Sequence, residues 1–374
     1  MTEPAAPAIT RYGRDVLLVL VAIALLAVGP DERMADSTST TADPVRLTVA
    51  ASGDFLIHEP VWERAFADGD GRRYDFRRML RFVRPIVRRA DIALCHAETP
   101  MSRRAPSGYP MFNTPRSLAR AIKWAGYDMC STASNHSLDQ GQYGIGATGR
   151  ALRRAGVAHT GSFSSAAAQK RSTMVTAKGV RVAFLAYTEM TNGIPLPHRW
   201  SVNIARPRRI LADARRARRR GAQVVIVNLH WGDEYQAAPS RFQRRLAKRL
   251  TRTDTVTAVV GQHAHVVQPI SRVNGRLVVF GEGNFLSNQT AACCPPASQD
   301  GLIAKLRITV HEGRAEVSGV DYVPTWVRHP DYAVLPVGVA LRRRLAPTGV
   351  LRASRRRTIA VAGRAPGVRP VSGG

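Results

Sequence analysis

Short apolar runs rich in valine and alanine alternate along this chain with longer stretches in which apolar residues recur at helical spacing between arginines. The runs at 46–51, 91–95, 127–133, 180–187, 224–229 and 255–260 read as buried strands. Between them, 76–89 carries Phe76, Met79, Leu80, Val83 and Val87 at helical spacing. Pro115 opens a helix that runs to Ala125 and stops at Gly126, and 145–155 is a helix ending at Gly156. Segment 207–220 is an arginine-rich helix with Ile210, Leu211, Ala214 and Ala217 on its inner face and a solvated outer face, and 241–250 is another helix. This alternation predicts an α/β architecture. After Leu277 the pattern changes: 277–280, 301–310 and 315–323 read as strands joined by tight turns. The last thirty or so residues, rich in Arg, Pro and Gly with little periodicity, read as a disordered tail. The chain therefore divides into an apolar N-terminal segment at 1–30, a polar linker at 31–45, a folded domain at 46–340 and a basic tail at 341–374.

The unbroken apolar run at 16–28 follows Arg11 and Arg14 and precedes Asp31, Glu32 and Asp36. Its thirteen residues suit the apolar region of a signal peptide and are short for a full span. The charge bias places the N-terminus inside and the rest outside. Ala27-Val28-Gly29 offers small residues for cleavage, but Pro30 would then be the first mature residue, so removal and an uncleaved anchor both stand. The expected location is the extracytoplasmic face of the cell membrane, or outside the cell if the segment is removed. Four cysteines form no zinc-finger or CxxC pattern. Cys95 and Cys130 each sit near a strand end just before a motif of interest; packed thiols and an export-dependent disulfide are both open.

The formal net charge is +28, carried by fifty arginines and five lysines. Such a skew is what a GC-rich genome produces; a surface suited to an anionic polymer is the other reading. The basic residues are not interleaved with aromatics, so no nucleic-acid platform is expected.

Polar residues at several strand ends change the picture most. Asp54 follows the first strand in Gly-Asp-Phe-Leu, where the glycine lets the backbone turn and the carboxylate enter a crevice. Glu98 lies in His-Ala-Glu-Thr-Pro, either a carboxylate bridging two cations or a loop glutamate. Asn135 and His136 place an amide oxygen that can ligate beside an imidazole that can shuttle protons. His230 ends another strand, and His263 and His265 form an i, i+2 pair whose rings share one side if the backbone is extended. Asp54, Glu98, Asn135, His230, His263 and His265 make a mixed N/O set sized for two divalent metal ions such as Mn, Fe or Zn. No thiolate stands at the motif centres, which argues against a structural zinc. Strand tips hold ligands rigidly and leave them open to water and substrate.

The pattern from Arg46 to Tyr322 resembles the CapA family, the poly-γ-glutamate capsule synthesis proteins, which carry a calcineurin-like metallophosphoesterase fold. The resemblance is carried by Gly-Asp-Phe-Leu (53–56), Ala-Glu-Thr-Pro (97–100), Met-Phe-Asn-Thr-Pro (111–115), Ala-Gly-Tyr-Asp (125–128), Ser-Asn-His-Ser-Leu-Asp-Gln-Gly (134–141), His-Trp-Gly-Asp-Glu-Tyr (230–235), Gly-Gln-His-Ala-His-Val-Val-Gln-Pro-Ile (261–270) and Gly-Glu-Gly-Asn-Phe (281–285). It implies a four-layer αββα sandwich over 46–340. We expect the early parallel strands to form one sheet and the segment after Leu277 the other. It implies that Asp54, Glu98, Asn135, His230, His263 and His265 bind metal and that His136 donates a proton. Glu282 and Asn284 would stand near the pocket as substrate or supporting contacts. The implied activity is dinuclear-metal hydrolysis by a metal-activated water, on a phosphoester or in the handling of polyglutamate alongside other capsule-synthesis membrane proteins. The rival class is a non-enzymatic anchored subunit that binds an anionic polymer for assembly or export. Two departures stand out. The usual Asn-Leu-Glu reads His96-Ala97-Glu98, and the common Asp-x-His has Leu56 in the histidine's place. The first metal then loses a ligand or uses His58, which otherwise sits at the surface or behind the ligands.

Overall fold

A strand that is apolar on both faces needs cover on both sides, and the strands here obtain it by stacking two sheets between helices. The computed structural model describes residues 43–373. The run at 16–28, with the anchor or signal it would form, and nearly all of the 31–45 linker lie outside the described residues. Among the described residues no helix is long and apolar enough to cross a membrane.

The larger sheet has nine strands. Its main path runs Ala333–Pro336, Arg314–Arg328, Asp300–His311, Val45–Phe55, Ile92–Ala97, Met129–Ser131 and Ala158–Thr160. Asn284–Leu286 joins beside Val45–Phe55, and Val368–Pro370 beside Arg314–Arg328. The six-stranded sheet runs Ile270–Val273, Arg276–Val279, Ala258–Gln262, Val224–His230, Val180–Thr188 and Thr173–Ala177. Leu47, Val49, Leu94 and Ile308 of the first sheet share one buried cluster with Phe184, Ile226, Val260 and Val279 of the second. Behind the first sheet, Val83, Leu118 and Ile122 pack on Phe55 and Cys95. Behind the second, Ile210, Ala214, Leu246 and Leu250 pack on Val225, Val227 and Val259. The order is helix, sheet, sheet, helix, as expected.

The partition between sheets is not as expected. The hairpin of Asp300–His311 and Arg314–Arg328 does not build the second sheet. It pairs antiparallel with Val45–Phe55, from Val45 opposite Val310 to Ser52 opposite Ile303. That strand pairs with Ile92–Ala97 on its other side, so the hairpin covers an edge that would otherwise be open. The middle of the chain supplies the second sheet.

The basic tail is ordered, contrary to expectation. Thr348–Ala362 is a helix whose buried positions are Leu351, Ser354, Thr358 and Ala362. Half of that inner face is hydroxyl-bearing, which hides the apolar periodicity. The Arg357 guanidinium forks onto the buried Asp300 carboxylate at 2.7 and 3.0 Å. The helix expected at 76–89 is two short ones, Arg77–Leu80 and Arg84–Arg88, the second with Pro85 in its first turn, which has no N–H to continue the first.

Cys95 and Cys130 are register partners on adjacent parallel strands, with Cα atoms 4.5 Å apart, and they are bonded. Of the two states open from the sequence, the structure has the disulfide. Cys293 and Cys294 are bonded as chain neighbours.

Candidate functional site

Strands of both sheets end at one place, and the expected polar residues meet there. Asp54 is fully buried at the end of Val45–Phe55. The glycine before it serves a close approach rather than a turn. A Cβ on Gly53 would stand 1.8 Å from the Gly283 carbonyl oxygen, and the Asp54 amide donates to that oxygen at 3.0 Å. The Asp54 carboxylate accepts from the His263 amide at 3.3 Å, and its Oδ2 lies 3.1 Å from His265 Nδ1.

Glu98 follows Ile92–Ala97, is buried, and has no hydrogen-bond partner on either oxygen. Its Oε1 lies 3.8 Å from His230 Nε2 and 3.9 Å from His265 Nε2. The loop after Met129–Ser131 is tied to it by Ser134 Oγ, which donates to the Glu98 carbonyl at 2.6 Å. That brings Asn135 Oδ1 to 2.8 Å from His230 Nε2. The His230 and His263 rings have centroids 4.6 Å apart. All six expected residues therefore meet in one buried cluster.

The two histidines after Ala258–Gln262 converge by another route than the expected extended backbone. His263 has φ 94° and His265 φ 55°, both left-handed. Non-glycine residues there carry strain of about 1–3 kcal/mol each, held by the surrounding structure. The Asp54 carboxylate on the His263 amide is one such hold.

His136 donates from Nδ1 to Asp139 Oδ2, or accepts from it when the carboxyl is protonated, at 2.8 Å. The same oxygen accepts the Phe112 amide at 2.8 Å, and the Phe112 ring stands edge-on to the imidazole. These contacts fix the ring through Nδ1 and its face and leave Nε2 uncommitted. Asn284 Nδ2 donates to Gln289 Oε1 at 2.9 Å and the Ser298 carbonyl at 2.8 Å, which turns its Oδ1 to His265 Nδ1 at 3.1 Å. Glu282 is buried, accepting from Gln262 Nε2 at 2.7 Å. His58 does not join the cluster: its Nδ1 lies 3.1 Å from the Leu56 carbonyl and its ring packs on Phe112.

Three residues were not expected. His96, on Ile92–Ala97, is fully buried with its ring stacked on His230 at 4.8 Å. Its only sequence signal was the departure from the usual Asn-Leu-Glu. Asp139 stands three residues after His136 in the same motif. Glu234, in the His-Trp-Gly-Asp-Glu-Tyr motif, reaches within 4.0 Å of His265 Nε2 from the exposed rim.

Burial dominates the electrostatics. It lowers His96 to about 4 and His263 to about 3, and lowers His230 well below its ordinary value. Burial also raises Glu98 well above the carboxylate range, with Asp54 adding to the shift. His265 goes the other way: burial lowers it, but Glu98 and Asp54 outweigh this and carry it to about 9. Burial, aided by Asp54, pushes Glu282 up to about 8.

Both oxygens of Glu98, both nitrogens of His96, and Nδ1 of His230 and of His263 are buried without a partner. An unsatisfied buried polar atom costs about 1–3 kcal/mol, and a cation would answer several at once. Ligand atoms of Asp54, His96 and His230, of Asp54, Glu98 and His265, and of Glu234, His263 and His265 form three groups, the atoms in each within 4.8 Å of one another. The nitrogen and oxygen donors suit Mn, Fe or Zn. The residues fit a metal.

Fold and site together define a class: a four-layer αββα protein with a buried histidine–carboxylate cluster, able to hold metal, where strands of both sheets end. Within that class the matching family model is the one described as bacterial capsule synthesis protein PGA_cap, over residues 48–289, and the chain belongs to this family. Capsule biosynthesis protein CapA of Bacillus anthracis is 26% identical over 290 residues, covering 75% of this chain and 69% of that protein. PGA biosynthesis protein CapA of Bacillus subtilis (strain 168) is 24% identical over 293 residues, covering 75% and 73%. Among solved structures, the calcineurin-like phosphoesterase YfkN from Bacillus subtilis aligns with a TM-score of 0.48 at 14% identity, over 84% of this chain and all of that one.

Proposed function

We propose that this chain is a metal-dependent hydrolase of capsule or poly-γ-glutamate biosynthesis, acting on the extracytoplasmic side of the membrane. The observation that carries the reading is the cluster of buried, unpartnered ligand atoms on Glu98, His230 and His263 around Asp54. Asp54, Glu98, Asn135, His230, His263 and His265 would hold the metal, with two ions as the expected load. When bound there, divalent cations supply Lewis acidity and lower the pKa of water toward neutrality. The chain's own groups do the rest. His136, fixed by Asp139 and Phe112, presents Nε2 to protonate the leaving group. Asn284 holds the His265 ring with Nε2 turned toward Glu98. Glu282 and His58 stand behind these groups. The extracytoplasmic location is supported by the apolar run at 16–28 and its flanking charges. The relatives' names, capsule and PGA biosynthesis, supply the setting.

The test is turnover of a generic phosphodiester and phosphomonoester with added Mn, alongside His263→Ala. Turnover in the native protein that the variant lacks is the expected result, and turnover unchanged by His263→Ala refutes the metal mechanism. A second reading is favoured by the charge of +28: a non-enzymatic anchored subunit that binds polyglutamate. It predicts no turnover, with polymer binding that weakens steeply as salt rises.

A further inference from the structure

We propose that His96 is a metal ligand of this chain, completing with Asp54 and His230 a donor set of two imidazole nitrogens and one carboxylate oxygen. This rests on the metal-dependent reading above and names a ligand that reading does not contain. His96 sits on Ile92–Ala97 directly opposite Asp54 in the parallel register. Adjacent strands therefore carry the two residues to the same height, and no loop movement is needed to bring them together. His96 Nε2 lies 3.8 Å from Asp54 Oδ1, and His230 Nδ1 lies 3.9 Å from the same oxygen.

Neither of those nitrogens has a hydrogen-bond partner. The other His230 nitrogen, Nε2, is occupied by Asn135 Oδ1 at 2.8 Å. That fixes the ring so that Nδ1 turns to Asp54 and His96. A tetrahedral shell with ligands at about 2.0–2.1 Å has edges of roughly 3.3 Å. The two edges through Asp54 would thus have to close by about half an ångström, and the edge between the two imidazoles is at most 4.8 Å before a cation draws them in.

An ordinary core imidazole does not account for these facts. A buried histidine that only fills space normally finds a carbonyl or hydroxyl for at least one ring nitrogen. Here both nitrogens of His96 are bare and its solvent exposure is nil. The histidine nearest to Asp54 in sequence does not take this role. Two residues on from Asp54 stands Leu56, which is apolar and buried. His58 is turned to the Leu56 carbonyl and the Phe112 ring. His96 approaches Asp54 from the neighbouring strand and supplies the imidazole that neither of them does.

The experiment uses the full chain, wild type and His96→Ala, stripped of metal and titrated with zinc against a competing chelator. The cobalt(II) absorption spectrum is a second readout. The expected result is that wild type binds zinc and that His96→Ala weakens one site by at least about tenfold and changes the cobalt spectrum, since even groups that only support a ligand are worth 10- to 100-fold. Equal zinc stoichiometry, affinity and cobalt spectrum in the two proteins overturns the ligand role and leaves the metal-dependent reading standing. Wild type that binds no zinc or cobalt overturns both. If His96→Ala does not fold, anomalous diffraction from zinc-loaded wild-type crystals decides. An Nε2–zinc distance near 2.0–2.1 Å supports the role, and an imidazole more than about 3 Å from every zinc refutes it.

Discussion

Glu282 makes the metal-free protein sensitive to alkali in a way one substitution should remove. Its carboxyl is fully buried, with one oxygen accepting from Gln262 and the other unpartnered. Burial and the nearby Asp54 raise its pKa from 4.5 to about 8. A raised carboxyl contributes stability that is fully present below the unfolded pKa and is lost as pH rises through the folded pKa. The window is therefore about pH 4.5 to 8. At 1.36 kcal/mol per unit, the shift amounts to about 5 kcal/mol, an order-of-magnitude figure. Glu282→Gln keeps an oxygen for Gln262 and removes the charge. In urea unfolding with chelator present, the two proteins should be about equally stable at pH 5, and the variant should be more stable by several kcal/mol at pH 8. Other groups titrate in this range, including His265, but they are common to both proteins and cancel in the difference. Parallel stability curves for the two proteins between pH 5 and 8 would refute the reasoning.

Three further outcomes follow from the geometry. Gly53→Ala sets a Cβ 1.8 Å from a backbone oxygen that cannot swing away, so a loss of at least about 3 kcal/mol is expected, read as a lower thermal midpoint or loss of folded protein. Arg357→Ala strands the buried Asp300 carboxylate and should cost about 3 kcal/mol at neutral pH in chemical denaturation; adding Asp300→Asn should recover most of it. Asp139→Asn takes the charged partner from His136; where turnover is found, kcat should fall about tenfold to a hundredfold with KM little changed, and equal kcat in the two proteins would remove His136 from the proton transfer.

What the sequence showed and what it hid divide along one physical line. Asp54, Glu98, Asn135, His230, His263 and His265 were legible because each ends an apolar run, and a strand end is a local property. Their meeting required two sheets to face each other, which the apolar strands did imply. Properties set by distant partners were not legible. The reason Asp54 needs a glycine before it is the crossing of Gly283, far along the chain. His96 looked like a deviation from a motif because nothing in a linear reading says that it stands opposite Asp54. The left-handed backbone at His263 and His265 has no glycine to announce it.

The tail shows why a missing pattern does not mean missing structure. The buried face of Thr348–Ala362 includes Ser354 and Thr358 where an ordinary amphipathic helix has leucines, and Arg357 leaves the same helix to reach Asp300. The face is polar because part of what it covers is polar: a carboxylate that is 2% exposed and whose pKa burial raises despite the arginine. Asp300 begins the strand that pairs with Val45–Phe55, two residues after Ser298. The Ser298 carbonyl in turn accepts from Asn284, which holds the His265 ring. The helix that looked like a basic appendage thus braces the segment that orients one of the candidate ligands. A hydrophobicity scan could not find it because its contribution to the fold runs through an ion pair and hydroxyl groups as well as apolar contact.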